Sequence, residues 1–177
     1  MQKRTLVAFV RRQRCTPDSD MELNDRRMLM RAVELAREAE SRGNLPVGAV
    51  IALNDRIIAE GASAILAPKF NPGKHAEIEA LRAVPDDLWP QRRAMTCYTT
   101  LEPCVMCFGA LVLHGIGRVV FGARDPDGGA GAMLAHLPPY YQSGRNVPVW
   151  DGPVAQDICD DLGLRTATLF GSIDGAG

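Results

Sequence analysis

Long hydrophobic runs are missing from this chain of 177 residues. The longest apolar stretches, residues 46–53 and 105–113, are far shorter than the roughly 18–20 residues that a membrane-spanning helix needs. The sequence therefore excludes a protein that crosses the membrane with helices. Composition is otherwise ordinary, with 46% hydrophobic and 23% charged residues, which excludes a disordered, collagen-like or coiled-coil chain.

A recognisable export signal is also missing. The amino-terminal apolar stretch, residues 6–10, is shorter than the roughly 7–15 apolar residues of a secretory signal, and no small-residue cleavage site follows it. We therefore predict a cytoplasmic protein whose five cysteines are thiols or metal ligands and not disulfides. The length favours one folded domain. We expect a basic, disordered tail over residues 1–20 and a single domain over residues 21–177.

Net charge is almost absent, at −1, but this total conceals an uneven distribution. The first 17 residues contain five basic side chains and no acidic one, a charge of +5 that leaves −6 for the remainder. Within residues 146–177, Arg165 is the only basic residue and stands against five aspartates. Because nucleic acids bind through their phosphates to basic surfaces, this distribution disfavours a nucleic-acid partner for the folded domain.

Helical and strand patterns alternate along the chain. Apolar residues recur at helical spacing over residues 24–42, 75–84, 103–114 and 154–162, and short apolar runs lie between these segments. This alternation predicts a three-layer α/β domain with one sheet. The predicted strands are residues 46–53, 56–60, 95–100 and 118–122, with a last strand at 165–170, and residues 123–147 are predicted to be irregular.

Two short motifs stand out, and each opens a predicted helix. The first is His75-Ala76-Glu77, and the second is Pro103 followed by Cys104 and Cys107. Each motif alone is a weak signal, because His-x-Glu occurs by chance and Cys-x-x-Cys also marks redox pairs and structural zinc sites. Their combination in this order is far more specific.

The chemistry of the two motifs points to a catalytic metal. Cys104 and Cys107 are three residues apart, so they share one face of a first helical turn, where the helix dipole favours thiolates. With His75 they make three protein ligands, which leaves the fourth tetrahedral position of a zinc ion for water. Zinc lowers the pKa of such a water towards about 7. Glu77 is then free to accept and return protons as a general acid and base.

The arrangement H-x-E…P-C-x-x-C is the signature of zinc nucleobase deaminases. Over residues 45–61, 75–82 and 99–134 the chain resembles the cytidine-deaminase-like superfamily, and most of all its tRNA-adenosine-deaminase and guanine-deaminase types. The resemblance implies a three-layer α/β/α sandwich with a five-stranded mixed sheet, and a homodimer. It also implies Zn²⁺ on His75, Cys104 and Cys107, with Glu77 as the catalytic proton shuttle.

The same family positions imply four residues at the substrate: Leu45, Ser63, Ala76 and Glu102. Ser63 departs from the family, whose members often have an asparagine there. A hydroxyl group replaces only part of the hydrogen bonding of an amide, which offers a donor and an acceptor side by side. The acidic carboxyl end is a second departure, because the enzymes that act on tRNA tend to end in a basic, aromatic helix.

We therefore predict a zinc-dependent hydrolytic deaminase that replaces an exocyclic amino group by a carbonyl and releases ammonia. The expected substrate is a small-molecule nucleobase or nucleoside, such as guanine, adenine or cytosine. A tRNA-specific adenosine deaminase is the alternative, disfavoured by the acidic carboxyl end. A non-catalytic zinc-binding protein on the same fold is an alternative of another class, against which Glu77 argues because a structural site needs no proton shuttle. A thiol redox protein would leave His75 and Glu77 without a role.

Overall fold

The computed structural model describes residues 23–142 and 147–174, so the predicted tail, residues 1–20, lies outside the described residues. Two segments form 3₁₀ helices, Asp86–Ala94 and Ala130–Ala135. None of the helices in the described ranges is both long and apolar enough to cross a membrane. The elements are α1 (Leu23–Ser41), β1 (Gly48–Leu53), β2 (Arg56–Ala62), α2 (Ala76–Arg82), β3 (Met95–Leu101), α3 (Val105–His114), β4 (Arg118–Ala123), α4 (Pro139–Gln142), β5 (Val149–Asp151) and α5 (Gln156–Asp174).

The five strands form one mixed sheet in the order β2-β1-β3-β4-β5. Strand β1 runs antiparallel to both β2 and β3, where Ile51 lies opposite Ala59 and Cys97. Strands β3, β4 and β5 are parallel to one another. The structure therefore confirms the predicted five-stranded mixed sheet.

The helices cover both faces of this sheet. Because side chains alternate along a strand, Ile51 points to the face covered by α2 and α3, and Val50 points to the face covered by α1. Helix α5 packs beside α1, where Cys159 and Leu162 join a cluster with Leu29. The expected three-layer α/β/α sandwich is thereby confirmed.

Two glycines let the helices approach the sheet closely. A Cβ atom at Gly61 would lie 2.1 Å from the carbonyl oxygen of Ala76, and one at Gly48 would lie 2.1 Å from that of Ala32. Real side chains do not tolerate such contacts, so the backbones meet only because these positions lack a side chain. The glycine in β2 therefore determines how near the first turn of α2 lies to the sheet.

The predicted last strand is wrong. Residues 165–170 belong to the long helix α5, and the fifth strand is the three-residue β5, which lies just after the segment predicted to be irregular. Cys159, Leu162 and Thr166 are buried at helical spacing, which indicates a helix where the short threonine-rich stretch alone favours a strand. The Thr166 hydroxyl also donates to the Leu162 carbonyl oxygen at 2.9 Å, a bond that suits threonine inside a helix.

A buried ion cluster fastens α1 to the sheet. The Arg118 guanidinium on β4 donates to both carboxylate oxygens of Asp25 at 2.8 and 2.7 Å, and to Asp151 on β5 at 2.8 Å. The Tyr98 hydroxyl donates to Asp25 at 2.6 Å. Burial raises the pKa of the Asp25 carboxyl, but the hydrogen bonds from Arg118 and Tyr98 outweigh burial and hold this pKa below its ordinary value.

Replacing Asp25 by asparagine is expected to lower the free energy of unfolding by about 2 kcal/mol at pH 7. This is less than the roughly 3–5 kcal/mol typical of a broken buried pair, because Arg118 is partly exposed and keeps Asp151. Since the pKa of Asp25 is lower in the folded state, its contribution is complete above the unfolded pKa and is lost as the pH falls through the folded pKa. Urea unfolding at several pH values measures this, and a difference between the two proteins that stayed constant below pH 4 would contradict the assignment.

Candidate metal and active site

The amino-terminal ends of α2 and α3 meet beside the carboxyl end of β3. His75 is the residue that caps α2, Cys104 caps α3, and Cys107 lies in the first turn of α3. Each helix begins there because its N-cap residue, His75 or Cys104, has an extended backbone. The two sequence motifs therefore come together in space as the predicted site requires.

The donor atoms of this group are arranged for a small metal ion. The ligand atoms of His75, Cys104 and Cys107 all lie within 4.8 Å of one another. His75 Nδ1 lies 3.6 Å from Cys104 Sγ. Ligand atoms on a tetrahedral zinc ion lie about 3.5 Å apart, given zinc–sulfur and zinc–nitrogen bonds of about 2.3 and 2.1 Å. One imidazole and two thiols at these distances fit Zn²⁺.

The pKa shifts of the three groups follow from the close approach of their donor atoms. A hydrogen bond from the Cys107 thiol outweighs burial and, with His75, lowers the pKa of Cys104 to about 4. The hydrogen bond to Cys104, followed by burial, raises the pKa of Cys107, and the hydrogen bond with Cys104 raises the pKa of His75. Because metal ligands must be deprotonated, a divalent cation bound here would displace the protons that His75 and Cys107 hold.

Glu77 lies inside the same group and is almost completely buried, with 3% of its surface exposed. One carboxylate oxygen accepts a hydrogen bond from the Thr99 hydroxyl at 3.1 Å, and the other accepts one from the Cys107 thiol at 3.4 Å. Burial raises the pKa of the Glu77 carboxyl. A carboxyl group with a raised pKa next to a metal site is suited to exchanging protons near neutral pH.

A cavity of about 780 Å³ opens onto His75, Glu77 and Cys104. This is within the range of small-molecule and cofactor sites. Ser63 is buried, and its hydroxyl oxygen has no hydrogen-bond partner among the residues that the structure describes. The four residues predicted at the substrate all line the cavity: Leu45, Ser63, Ala76 and Glu102. Their contact with a substrate stays a prediction.

The cavity also has walls that sequence reasoning missed. One is the segment after β4, which includes Arg124, Asp125 and Asp127, and another is α5, which includes Leu164 and Phe170. The first wall follows the carboxyl end of a parallel strand, and ligands often bind just outside such ends. That position was a usable signal. Nothing in the local sequence of α5 shows that it reaches the cavity.

Comparison with known proteins agrees with this site. The family described as the cytidine and deoxycytidylate deaminase zinc-binding region matches residues 22–123. A tRNA-specific adenosine deaminase of Haemophilus influenzae is 39% identical over 140 residues, which cover 78% of this chain and 80% of that protein. A protein of the same name from Bacillus subtilis is 40% identical over 117 residues, 64% of this chain and 70% of that protein.

Solved structures are similar too. One, from a study of A-to-I editing by tRNA:A34 deaminases at the wobble position of transfer RNA, has a TM-score of 0.65 and 30% identity, covering 77% of this chain and 99% of that one. A guanine deaminase from Nitrosomonas europaea has a TM-score of 0.59 and 25% identity, covering 79% and 83%. The chain belongs to the zinc-dependent cytidine and deoxycytidylate deaminase family and is a hydrolytic deaminase.

Proposed function

We propose that this enzyme is a tRNA-specific adenosine deaminase, which converts adenosine in tRNA to inosine. The observation that carries the proposal is the buried Glu77 within the His75, Cys104 and Cys107 group, in a chain whose relatives at 39% and 40% identity bear that name. The relatives at 39% and 40% identity support this activity better than the free base or nucleoside that the sequence suggested. A cytoplasmic location accords with this proposal.

The reaction exchanges one group at carbon 6 of adenine: a C–O bond to water forms, the C–N bond to the amino group breaks, and ammonia leaves. His75, Cys104 and Cys107 would hold zinc, which would supply water activated for attack at neutral pH. Glu77 accepts a proton from the attacking water and delivers it to the adjacent ring nitrogen. It then carries the second proton to the departing amine. The Thr99 hydroxyl holds one Glu77 oxygen. The other oxygen therefore stays directed at His75, Cys104 and Cys107, here called the metal group.

Three basic side chains outside the cavity lining favour an RNA substrate more than the net charge of the domain suggests. Arg42, Lys69 and Lys74, here called the basic rim, lie at the end of α1 and in the loop before His75. None of the three has an ion-pair partner within the described ranges. Asn44 ties the two segments together, because its side chain accepts the amides of residues 66 and 67. Acidic side chains line the cavity itself, with Asp160 on α5 and Asp125 and Asp127 after β4.

An aromatic side chain stands within the basic rim. Phe70, next to Lys69, is 60% exposed. Exposed aromatic rings beside free cations are typical of surfaces that bind single-stranded nucleic acid, because bases stack on the ring and phosphates contact the cations. The basic rim therefore supports an RNA substrate that approaches from the side of the His75 loop.

The proposal is tested with the zinc-loaded enzyme on a tRNA transcript that carries adenosine at the wobble position. We expect inosine in the product, detected as guanosine on reverse transcription, and no ammonia from free adenine, guanine or cytosine. Lys69→Gln and Lys74→Gln should each reduce the slope of log affinity against log salt concentration by about 1. Arg26→Gln, at the opposite end of α1, is the matched control and should leave the slope unchanged. Ammonia from a free base, with the tRNA unreacted, would return the function to the small-molecule alternative.

The proposal includes a homodimer. Three apolar side chains of α3 are exposed: Val105 by 55%, Met106 by 42% and Leu113 by 69%. Met133 from the second 3₁₀ segment is also exposed, by 37%. Exposed apolar side chains concentrated on one helix are typical of protein interfaces. This side of α3 supports self-association of the enzyme.

A further inference from the structure

Glu102 is a buried acid that the proposed reaction does not use. Only 4% of its surface is exposed, and it lies two residues before Cys104. One carboxylate oxygen accepts the amide hydrogen of Asp125 at 3.3 Å, and the other accepts that of Gly131 at 3.1 Å. Both amides belong to one segment, residues 125–131, here called the 125–131 loop. Glu102 therefore joins the two ends of this loop.

The residues that follow Glu102 hold the same loop. The carbonyl oxygen of Pro103 accepts the amide hydrogen of Ala130 at 2.9 Å. Cys104 forms a one-residue antiparallel bridge with Gly129. Three consecutive residues thus hold the 125–131 loop, and the last of them is a member of the metal group. A displacement of the loop would therefore displace Cys104.

The packing around Glu102 leaves no room for a side chain at two glycines of the 125–131 loop, Gly129 and Gly131. A Cβ atom at Gly131 would lie 2.4 Å from a carboxylate oxygen of Glu102, and one at Gly129 would lie 2.7 Å from the carboxyl carbon. Both distances are shorter than real Cβ atoms show. Gly131 is therefore required for as long as the Glu102 carboxylate occupies its place, whereas a Cβ atom at Gly129 would also lie 2.5 Å from the backbone carbonyl oxygen of Asp125.

The outer side of the loop is a wall of the substrate cavity. Asp125, Pro126, Asp127 and Gly128 line it. The Asp125 carboxylate accepts the amide hydrogens of Asp127 at 3.2 Å and Gly128 at 2.9 Å, which keeps this turn compact. The 125–131 loop therefore connects the wall of the substrate cavity to Glu102 and Cys104.

We propose that Glu102 is a positioning residue that fixes the position of one metal ligand, Cys104, relative to one wall of the substrate cavity, the 125–131 loop. It acts through the 125–131 loop and Cys104 and does not touch the substrate. This differs from the substrate contact that the family position implies for Glu102. The inference deepens the proposed function, because it rests on the same metal group and cavity.

Glu102→Gln tests the inference, since an amide keeps one acceptor oxygen but turns an NH₂ group towards a backbone amide. We expect faster hydrogen exchange at Asp125 and Gly131 and a zinc affinity weaker by about 10–100-fold in chelator competition, the range for residues that orient metal ligands. Asp127→Asn removes an acid from the same cavity wall and leaves the hydrogen bonds of Glu102 in place. It should change neither the amide exchange rates nor the zinc affinity. The full zinc-loaded chain is used throughout.

The packing against Gly131 allows a second, independent test. Gly131→Ala should weaken zinc binding in the wild type, because the new methyl group collides with Glu102. In the Glu102→Ala background the same change should weaken zinc binding much less, so the effects of the two substitutions on zinc affinity are not additive. Equal effects of Gly131→Ala in both backgrounds would overturn the inference.

A direct substrate contact by Glu102 would give a different pattern. Glu102→Gln would then raise KM for the RNA while amide exchange and zinc affinity remained at wild-type values, and this result would also overturn the inference. Exchange and zinc competition require no substrate. A failure of tRNA deamination therefore contradicts the proposed function and leaves the role of Glu102 to be decided by its own measurements.

Discussion

Replacing Glu77 by glutamine is expected to slow deamination by about 10²–10⁴-fold, the usual contribution of a general acid and base. The amide has nearly the same shape and keeps an oxygen for the Thr99 hydroxyl, but it cannot accept and return a proton. Zinc content should stay at the wild-type level, because the metal group of His75, Cys104 and Cys107 is untouched. Single-turnover inosine formation and metal analysis of the same preparation measure the two quantities.

Glu79→Gln is the matched control for this variant. Glu79 is on the same helix, is a residue of the same type and lies outside the cavity lining, where it contacts Arg82 at 3.4 Å. Its replacement should leave the rate within about twofold of wild type, since an exposed i,i+3 ion pair contributes little. A Glu77→Gln enzyme with full zinc and a wild-type rate would remove Glu77 from the mechanism.

Replacing Cys107 by alanine is expected to abolish activity through loss of the metal. Two protein ligands remain, so zinc should be removed by dialysis against a weak chelator, whereas the wild type retains it. The bound metal stabilises the folded state by about 4 kcal/mol when its free concentration is 1,000 times the dissociation constant. Chelation should therefore lower the Tm of the wild type and leave that of Cys107→Ala unchanged.

Cys97→Ala provides the comparison for a buried cysteine outside the metal group. Both Cys97 and Cys107 are fully buried, but Cys97 lies in the middle of β3 and packs in the core. Its replacement should preserve zinc stoichiometry, activity and the response of Tm to chelator. Zinc retention by Cys107→Ala equal to that of Cys97→Ala would mean that the ligand set has been assigned incorrectly.

The chemistry of the site could be predicted because it depends on short spacings. His75 and Glu77 are two residues apart at the start of α2, and Cys104 and Cys107 are three apart, on one face of the first turn of α3. The alternation of helices and strands likewise predicted the three layers. These features depend on neighbours in the sequence, which are visible without knowledge of the fold.

The remaining features depend on residues distant in the sequence. Strand β5 has only three residues and exists because Val149–Asp151 lies parallel to β4, which local pattern cannot show. The threonines of α5 favour a strand by themselves, and burial against α1 makes the segment helical. The formal charge of residues 146–177 does not show where unpaired cations lie. Arg165 is engaged with Glu40 and Asp161, and the basic rim, which has no ion-pair partner within the described ranges, lies in other segments.

The position of α5 separates two properties of the enzyme. Helices α2 and α3, which carry the metal group and Glu77, pack on one face of the sheet, and α5 packs on the other face. Leu164 and Phe170 nevertheless reach the cavity from that second layer. Their replacement is expected to alter the shape of the cavity without disturbing the packing that supports the metal group. Substitutions in the α5 layer can therefore change substrate preference, while the α2 and α3 layer keeps the residues that carry out the reaction.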